Sequence, residues 1–183
     1  MIFNMNKAYI GIDPGSKGFV AFQKNGVFEY HAIDGCDWAL LFEQFFKWRN
    51  ENEEIICAIE DVHAIYGSSA EATFNFGYVC GMLKMILIGS RIPYVMVQPK
   101  EWQKEMWMNS DVISHKEVST RKDGKTICRT IIDTKKTSIN AAKRLFPTID
   151  FRKDDSPKSR CKNVDDNKVD STLICEYARR KNF

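Results

Sequence analysis

Tyr9-Ile10-Gly11-Ile12-Asp13-Pro14-Gly15 is the stretch on which the reading of this chain turns. An apolar run leads into a carboxylate, and the Pro-Gly that follows ends any strand at once. Asp13 is therefore expected at a strand tip. Taken alone it is an ordinary turn residue, because Asp and Pro-Gly are common in turns. A strand inside a sheet, however, fixes a side chain more firmly than a loop does, so an acid at its tip also suits a bound cation. Two further carboxylate sites in matching contexts downstream favour the second reading.

Working outward, Lys7 to Asp13 reads as the first strand, Gly18 to Lys24 as a second and Val27 to Ile33 as a third. Asn25-Gly26 between alternating apolar residues is a strong hairpin signal, so these strands are expected to form an antiparallel meander. Asp37 to Arg49 carries apolar residues at helical spacing, with Asp37 or Asp34 as its cap. Glu54 to Glu60 is a continuous apolar run, as in a strand buried on both faces, and it too ends in acid, at Glu60-Asp61. The pattern over Ala70 to Ser90 is helical and encloses Gly77 and Gly81. Each interior Gly costs a helix about 1 kcal/mol relative to Ala, which points to close approach to a strand or a partner helix. Ile92 to Gln98 is a further strand, and Pro99 suits the first turn of a helix near Lys100 to Gln103. Helices over Asp133 to Phe146 and Val164 to Arg180 complete the chain, the last acidic at its start and basic at its end, as the helix dipole favours.

Residues 108–130 break this pattern with a polar excursion that has room for a small hairpin. Lys116, Arg121, Lys122, Lys125 and Arg129 surround its Asp123-Gly124. A second polar loop holds Arg152, Lys153, Lys158, Arg160 and Lys162. With 183 residues, 44% of them hydrophobic, the chain is long enough for a sizeable core, and a single domain over 1–183 is expected. A formal charge of +3, from 27 basic and 24 acidic side chains, neither demands nor excludes a nucleic-acid partner. The six cysteines contain no C-x-x-C pair, no secretory signal is evident, and no long apolar run escapes charge. A soluble protein of the reducing cytoplasm is expected.

Asp166 and Asp170, four residues apart at the head of the last helix, point from nearly the same face. By themselves they are equally well explained as a solvated, dipole-stabilised helix start. Together with Asp13 and Glu60 they make an oxygen-rich set of the kind that selects Mg²⁺ or Mn²⁺. Two such ions about 3.5 to 4 Å apart clamp the attacking and leaving oxygens of a phosphodiester, so metal-dependent hydrolysis is the expected chemistry.

The chain resembles RuvC-type Holliday-junction resolvases, above all their phage-like branch, within the ribonuclease H-like superfamily. The resemblance runs almost end to end, through Gly11-Ile-Asp-Pro-Gly15, Ile59-Glu-Asp-Val-His63, Ala72-Thr-Phe-Asn-Phe-Gly77, Pro99-Lys-Glu-Trp-Gln-Lys104, Lys136 to Pro147, and Asp166-Asn-Lys-Val-Asp-Ser171. It implies an α/β ribonuclease H-like fold: a mixed five-stranded sheet, a three-strand antiparallel meander plus parallel strands, flanked by helices. It also implies a homodimeric, Mg²⁺-dependent endonuclease that makes paired nicks in four-way DNA, with Asp13, Glu60 and Asp170 as metal ligands. Where the best-known bacterial members carry another ligand, Asp or His, three residues before the last acid, this chain has Asn167. Asp166 substitutes for it, at the four-residue spacing of phage-like relatives. Two ions per site are expected, one on Asp13 and Asp170 and the other shared with Glu60, Asp13 bridging both. The excursion is longer than usual in the family and bears on substrate choice.

Two alternatives stay open: a ribonuclease H-like nuclease for flaps or RNA–DNA hybrids, and a catalytically weak DNA-binding recombination protein, of which Asn167 would be the mark. Lys100, Trp102 and Lys104 combine charge with an aromatic surface suited to phosphate contact or base stacking. Equally, Trp102 belongs to the core and the lysines to a solvated face. Lys116, Arg121 and Lys122 are the DNA-contacting candidates of the excursion. Phe74 and Phe76 suit a wedge between bases, but closing the core or a dimer interface is favoured. His63, a lone loop histidine, is left outside the catalytic set.

Overall fold

Turn chemistry and alternation build the first three strands. In this computed structural model, which describes residues 7–62, 67–120, 126–154, 156 and 159–183, β1 (Lys7–Asp13), β2 (Phe19–Lys24) and β3 (Val27–Ala32) form an antiparallel meander. Asn25 and Gly26 take φ of 52° and 80°, the pair of left-handed conformations that a tight two-residue hairpin needs. Helix α1 (Trp38–Glu51) starts where Asp37 accepts from the backbone N–H groups of Ala39 and Leu40. β4 (Glu54–Glu60) then pairs with β1 in parallel, from Lys7 opposite Glu54 to Ile12 opposite Ile59. After α2 (Ala70–Gly89), capped by Ser69, β5 (Tyr94–Val97) adds in parallel to β4. The strand order is β3-β2-β1-β4-β5, the mixed sheet expected above.

The chain divides into two compact units, Met1–Glu105 with Asn167–Phe183, and Met106–Asp166. In the first, Ala8, Ile10 and Ile12 of β1 and Ile55, Cys57 and Ile59 of β4 meet Phe45 and Trp48 of α1 and Leu83, Ile86 and Leu87 of α2. The opposite sheet face presents Tyr9, Gly11 and Asp13 beside Ile56, Ala58 and Glu60, because side chains alternate along a strand. Helix α5 (Asp166–Lys181) covers that face. It approaches so closely at Gly11 that an added Cβ would sit 2.1 Å from the Cys175 nitrogen and 2.3 Å from the Ser171 oxygen. Helix α3 (Pro99–Met106) opens with Pro99, as its sequence suggests. On α2, by contrast, a Cβ added at Gly77 or Gly81 would meet no atom within 4 Å. The close approach expected from these glycines is not made among the described residues.

In the second unit the polar excursion is a two-stranded ribbon, β6 (Ser114–Thr120) antiparallel to β7 (Thr126–Ile132). Helix α4 (Thr134–Leu145) follows, capped by Asp133. Asp111, 3% exposed, anchors this unit. Its carboxylate receives Arg144 Nη2 at 2.7 Å, Arg144 Nε at 3.1 Å and the Met108 N–H at 2.8 Å.

Candidate active site at the strand tips

Asp13 and Glu60 end neighbouring parallel strands, one residue beyond the Ile12–Ile59 pair, and both lie on the α5 face. A tight turn follows Asp13, closed by the Gly18 N–H on the Gly15 carbonyl at 2.8 Å. Gly18 is needed there, since a Cβ would fall 1.9 Å from the Asp13 carbonyl oxygen. Helix α5 runs against β1 in the opposite sense. The Cys175 thiol donates to the Tyr9 carbonyl at 3.3 Å, while Ser171 reaches Gly11. Asp170, one residue ahead of Ser171, therefore lies toward the Asp13 end of the strand. Three of the four expected acids share one face at one end of the sheet, each partly buried.

Helix α3 braces these tips. The Trp102 indole N–H donates to Glu60 Oε1 at 2.7 Å, Gln98 Nε2 to Asp61 Oδ2 at 2.7 Å, and the Asp61 N–H to the Val97 carbonyl at 2.8 Å. Burial pushes the Glu60 carboxyl above its ordinary value, and the Trp102 hydrogen bond opposes that rise. Trp102 is only 1% exposed, so it offers no open ring face for base stacking. Trp102 is a core residue and not a stacking surface. Lys100 and Lys104 are exposed on the same helix, and Lys116 is exposed on β6. Arg121, Lys122 and His63 lie outside the described residues. Phe74, 74% exposed, closes no core in this chain.

Asp166 opens α5 one turn before Asp170, and Lys135 Nζ lies 2.5 Å from its Oδ2. Burial raises the Asp166 carboxyl, but the hydrogen bond and charge of Lys135 prevail and leave it below its ordinary value. Among the described residues, no group of three or more His, Cys, Asp or Glu side chains forms a ready-made metal cluster. One Glu60 oxygen is engaged by Trp102 and one Asp166 oxygen by Lys135. The donor chemistry of Asp13, Glu60 and Asp170 nonetheless fits a hard divalent cation, since all three offer carboxylate oxygen from one face. Trp102 and Lys135 were missed as partners of these acids. A helix opened by Pro99 directly after the neighbouring strand was the available signal for Trp102; nothing local in the sequence pairs Lys135 with Asp166.

No protein-family model matches the sequence, and no curated protein does. Among solved structures, Thermus thermophilus RuvC in complex with a Holliday junction substrate superimposes with a TM-score of 0.52, at 8% identity, over 96% of each chain. A second Thermus thermophilus RuvC structure gives a TM-score of 0.50 at 10% identity, again over 96% of each chain. The fold is that of RuvC. This likeness agrees with the ribonuclease H-like mixed sheet expected from the sequence, which the meander and the parallel β4 and β5 form here. At 8% and 10% identity the likeness is one of fold.

Proposed function

We propose that this chain is a divalent-metal-dependent endonuclease that cuts branched DNA, resolving four-way junctions by paired phosphodiester hydrolysis. The observation that carries the reading is the placement of Asp13, Glu60 and Asp170 on one face at one end of a RuvC-fold sheet. These residues have little apolar reason to lie together. Asp13, Glu60 and Asp170 would hold Mg²⁺ or Mn²⁺, which when bound supplies Lewis acidity and an activated water. The tight turn at Gly18 fixes Asp13, α3 fixes Glu60, and the close packing of α5 at Gly11 fixes Asp170. Asp166, the fourth acid of the set, opens α5 and is paired with Lys135.

The structural neighbour bound to a Holliday junction supports the choice of branched DNA as substrate. Symmetric incisions in two strands call for two sites related by a two-fold axis, hence a homodimer. The exposed apolar side chains of α2, Phe74, Tyr78, Met85 and Ile88, suit the interface between the copies. Lys100, Lys104 and Lys116 are exposed cations available for phosphate contact.

The deciding experiment offers purified protein four-way, duplex, flap and RNA–DNA hybrid substrates, with Mg²⁺ and with EDTA, beside Asp13→Asn. Paired nicks in the four-way DNA are expected, lost in EDTA. In Asp13→Asn the rate should fall by roughly a thousandfold, the scale of losing a charge-stabilising group. Junction affinity should hold within a few-fold, because phosphate contacts come from lysines and arginines. Cutting of flaps or hybrids alone would move the substrate elsewhere in the superfamily. Cutting that is indifferent to EDTA and to Asp13→Asn would refute the site.

A further inference from the structure

We propose that Trp102 is a positioning residue for the strand-tip site, its indole N–H holding one oxygen of Glu60 so that the other is presented, beside Asp13, to a divalent cation. This rests on the metal-dependent reading above. An indole N–H only donates, and a buried one needs an acceptor. Here that acceptor is Glu60 Oε1, at 2.7 Å. Among the described residues Trp102 is the one hydrogen-bond partner of Glu60, which leaves Oε2 available. Glu is long and rotamer-rich, so a carboxylate at a strand tip keeps one orientation only if something rigid holds it.

Trp102 is rigid for reasons on the page. The ring is 1% exposed, and its helix is tied at both ends. Pro99 starts α3 directly after β5, Gln98 at that junction bonds Asp61 of the β4 tip, and Glu105 receives Lys181 of α5 at 2.9 Å. The same short helix thus spans the tips of two strands and the helix that carries Asp170. Donors behind a metal-binding carboxylate orient it, and their loss commonly weakens metal affinity about 10-fold to 100-fold.

The test uses Mg²⁺ alone on the full chain. Calorimetry should show the Mg²⁺ dissociation constant rising about tenfold in Trp102→Phe, which keeps an aromatic ring but removes the donor. In a Glu60→Gln background the same substitution should add no further loss. A purely packing role would weaken binding equally in both backgrounds, and that result would overturn the proposal. With ¹⁵N-tryptophan labelling, the four tryptophans give four indole signals. One of them, lost in Trp102→Phe, should shift on Mg²⁺ addition in the wild type and stay still in Glu60→Gln. Unchanged affinity in Trp102→Phe, with Glu60→Gln still weakening Mg²⁺, sinks the positioning role and leaves the metal site standing. No Mg²⁺ binding by the wild type, or binding untouched by Asp13→Asn, removes both. If Trp102→Phe does not fold, the wild-type titration decides: no indole signal moving with Mg²⁺ refutes the proposal.

Discussion

At Gly11 the backbone of α5 lies where any side chain would be, and this contact sets how far Asp170 stands from Asp13. Because the atoms that a Cβ would strike are the Cys175 nitrogen at 2.1 Å and the Ser171 oxygen at 2.3 Å, no rotamer change relieves the clash. Gly11→Ala must push helix and strand apart, an overpacking cost of about 3 kcal/mol. Thermal unfolding should show a Tm lower by roughly 10 °C, at about 2 to 4 °C per kcal/mol for a chain of this size; a loss under 2 °C would refute the packing described. Asp111 is the corresponding residue of the second unit. Arg144 hydrogen-bonds its carboxyl and holds it below the ordinary carboxylate value against the opposing effect of burial. A depressed folded value means the pair's stabilisation is full above the unfolded pKa of about 3.9 and fades as pH falls through the folded one. Asp111→Asn should therefore cost about 3 kcal/mol at pH 7 by urea unfolding, and the gap from wild type should narrow toward pH 3. An equal gap at both pH values would mean that charge is not what Asp111 contributes.

Among the elements, the β6–β7 ribbon differs most from the sheet strands. Its residues are exposed or partly so on both faces, and Glu117 stands opposite Arg129 in its register. Joining those two residues by an Asn-Gly turn in place of 118–128 should cost under about 1 kcal/mol, since little buried surface goes with it. It also removes Arg121, Lys122 and Lys125. If those cations contact phosphates, the slope of log affinity against log salt on junction DNA should become shallower by up to about 2.7, at 0.9 per contact. An unchanged slope would exclude the ribbon from the DNA interface. The five sheet strands were legible because their apolar period and the Asn25-Gly26 turn are local signals. Ribbon bounds were not, because Ser114 to Thr120 buries no face and so carries no period. The site was legible to the level of strand tips: Asp13 and Glu60 each end an apolar run. Which partner each carboxylate takes was hidden, since Trp102 lies 42 residues from Glu60 in sequence and Lys135 lies on a different helix from Asp166.

For the molecule as a whole, the uncovered face of α2 bears on how many copies make the working unit. Helix α2 is apolar enough by length and composition to cross a membrane, yet it joins the core through Val79, Leu83, Ile86 and Leu87. What that packing leaves uncovered is an outer face with Phe74 at 74% and Ile88 at 65% exposure, and with Gly77 and Gly81 open between them. Small residues at four-residue spacing let another helix come close, and large apolar ones beside them gain about 25 cal/mol for each Å² they remove from water. A second copy of the same face would satisfy both features at once and, on the proposed reading, would bring two strand-tip sites under one two-fold axis. Light scattering behind size exclusion should therefore give twice the 21.2 kDa chain mass at tens of micromolar. Phe74→Asp with Ile88→Asp should return it to 21.2 kDa with little change in Tm of the single chain, because both side chains are largely exposed. That variant should nick one strand of a four-way junction per encounter and lose the pairing of nicks. A wild-type protein that runs as a monomer, or a double variant that still pairs its nicks, would place the two-fold axis somewhere other than α2.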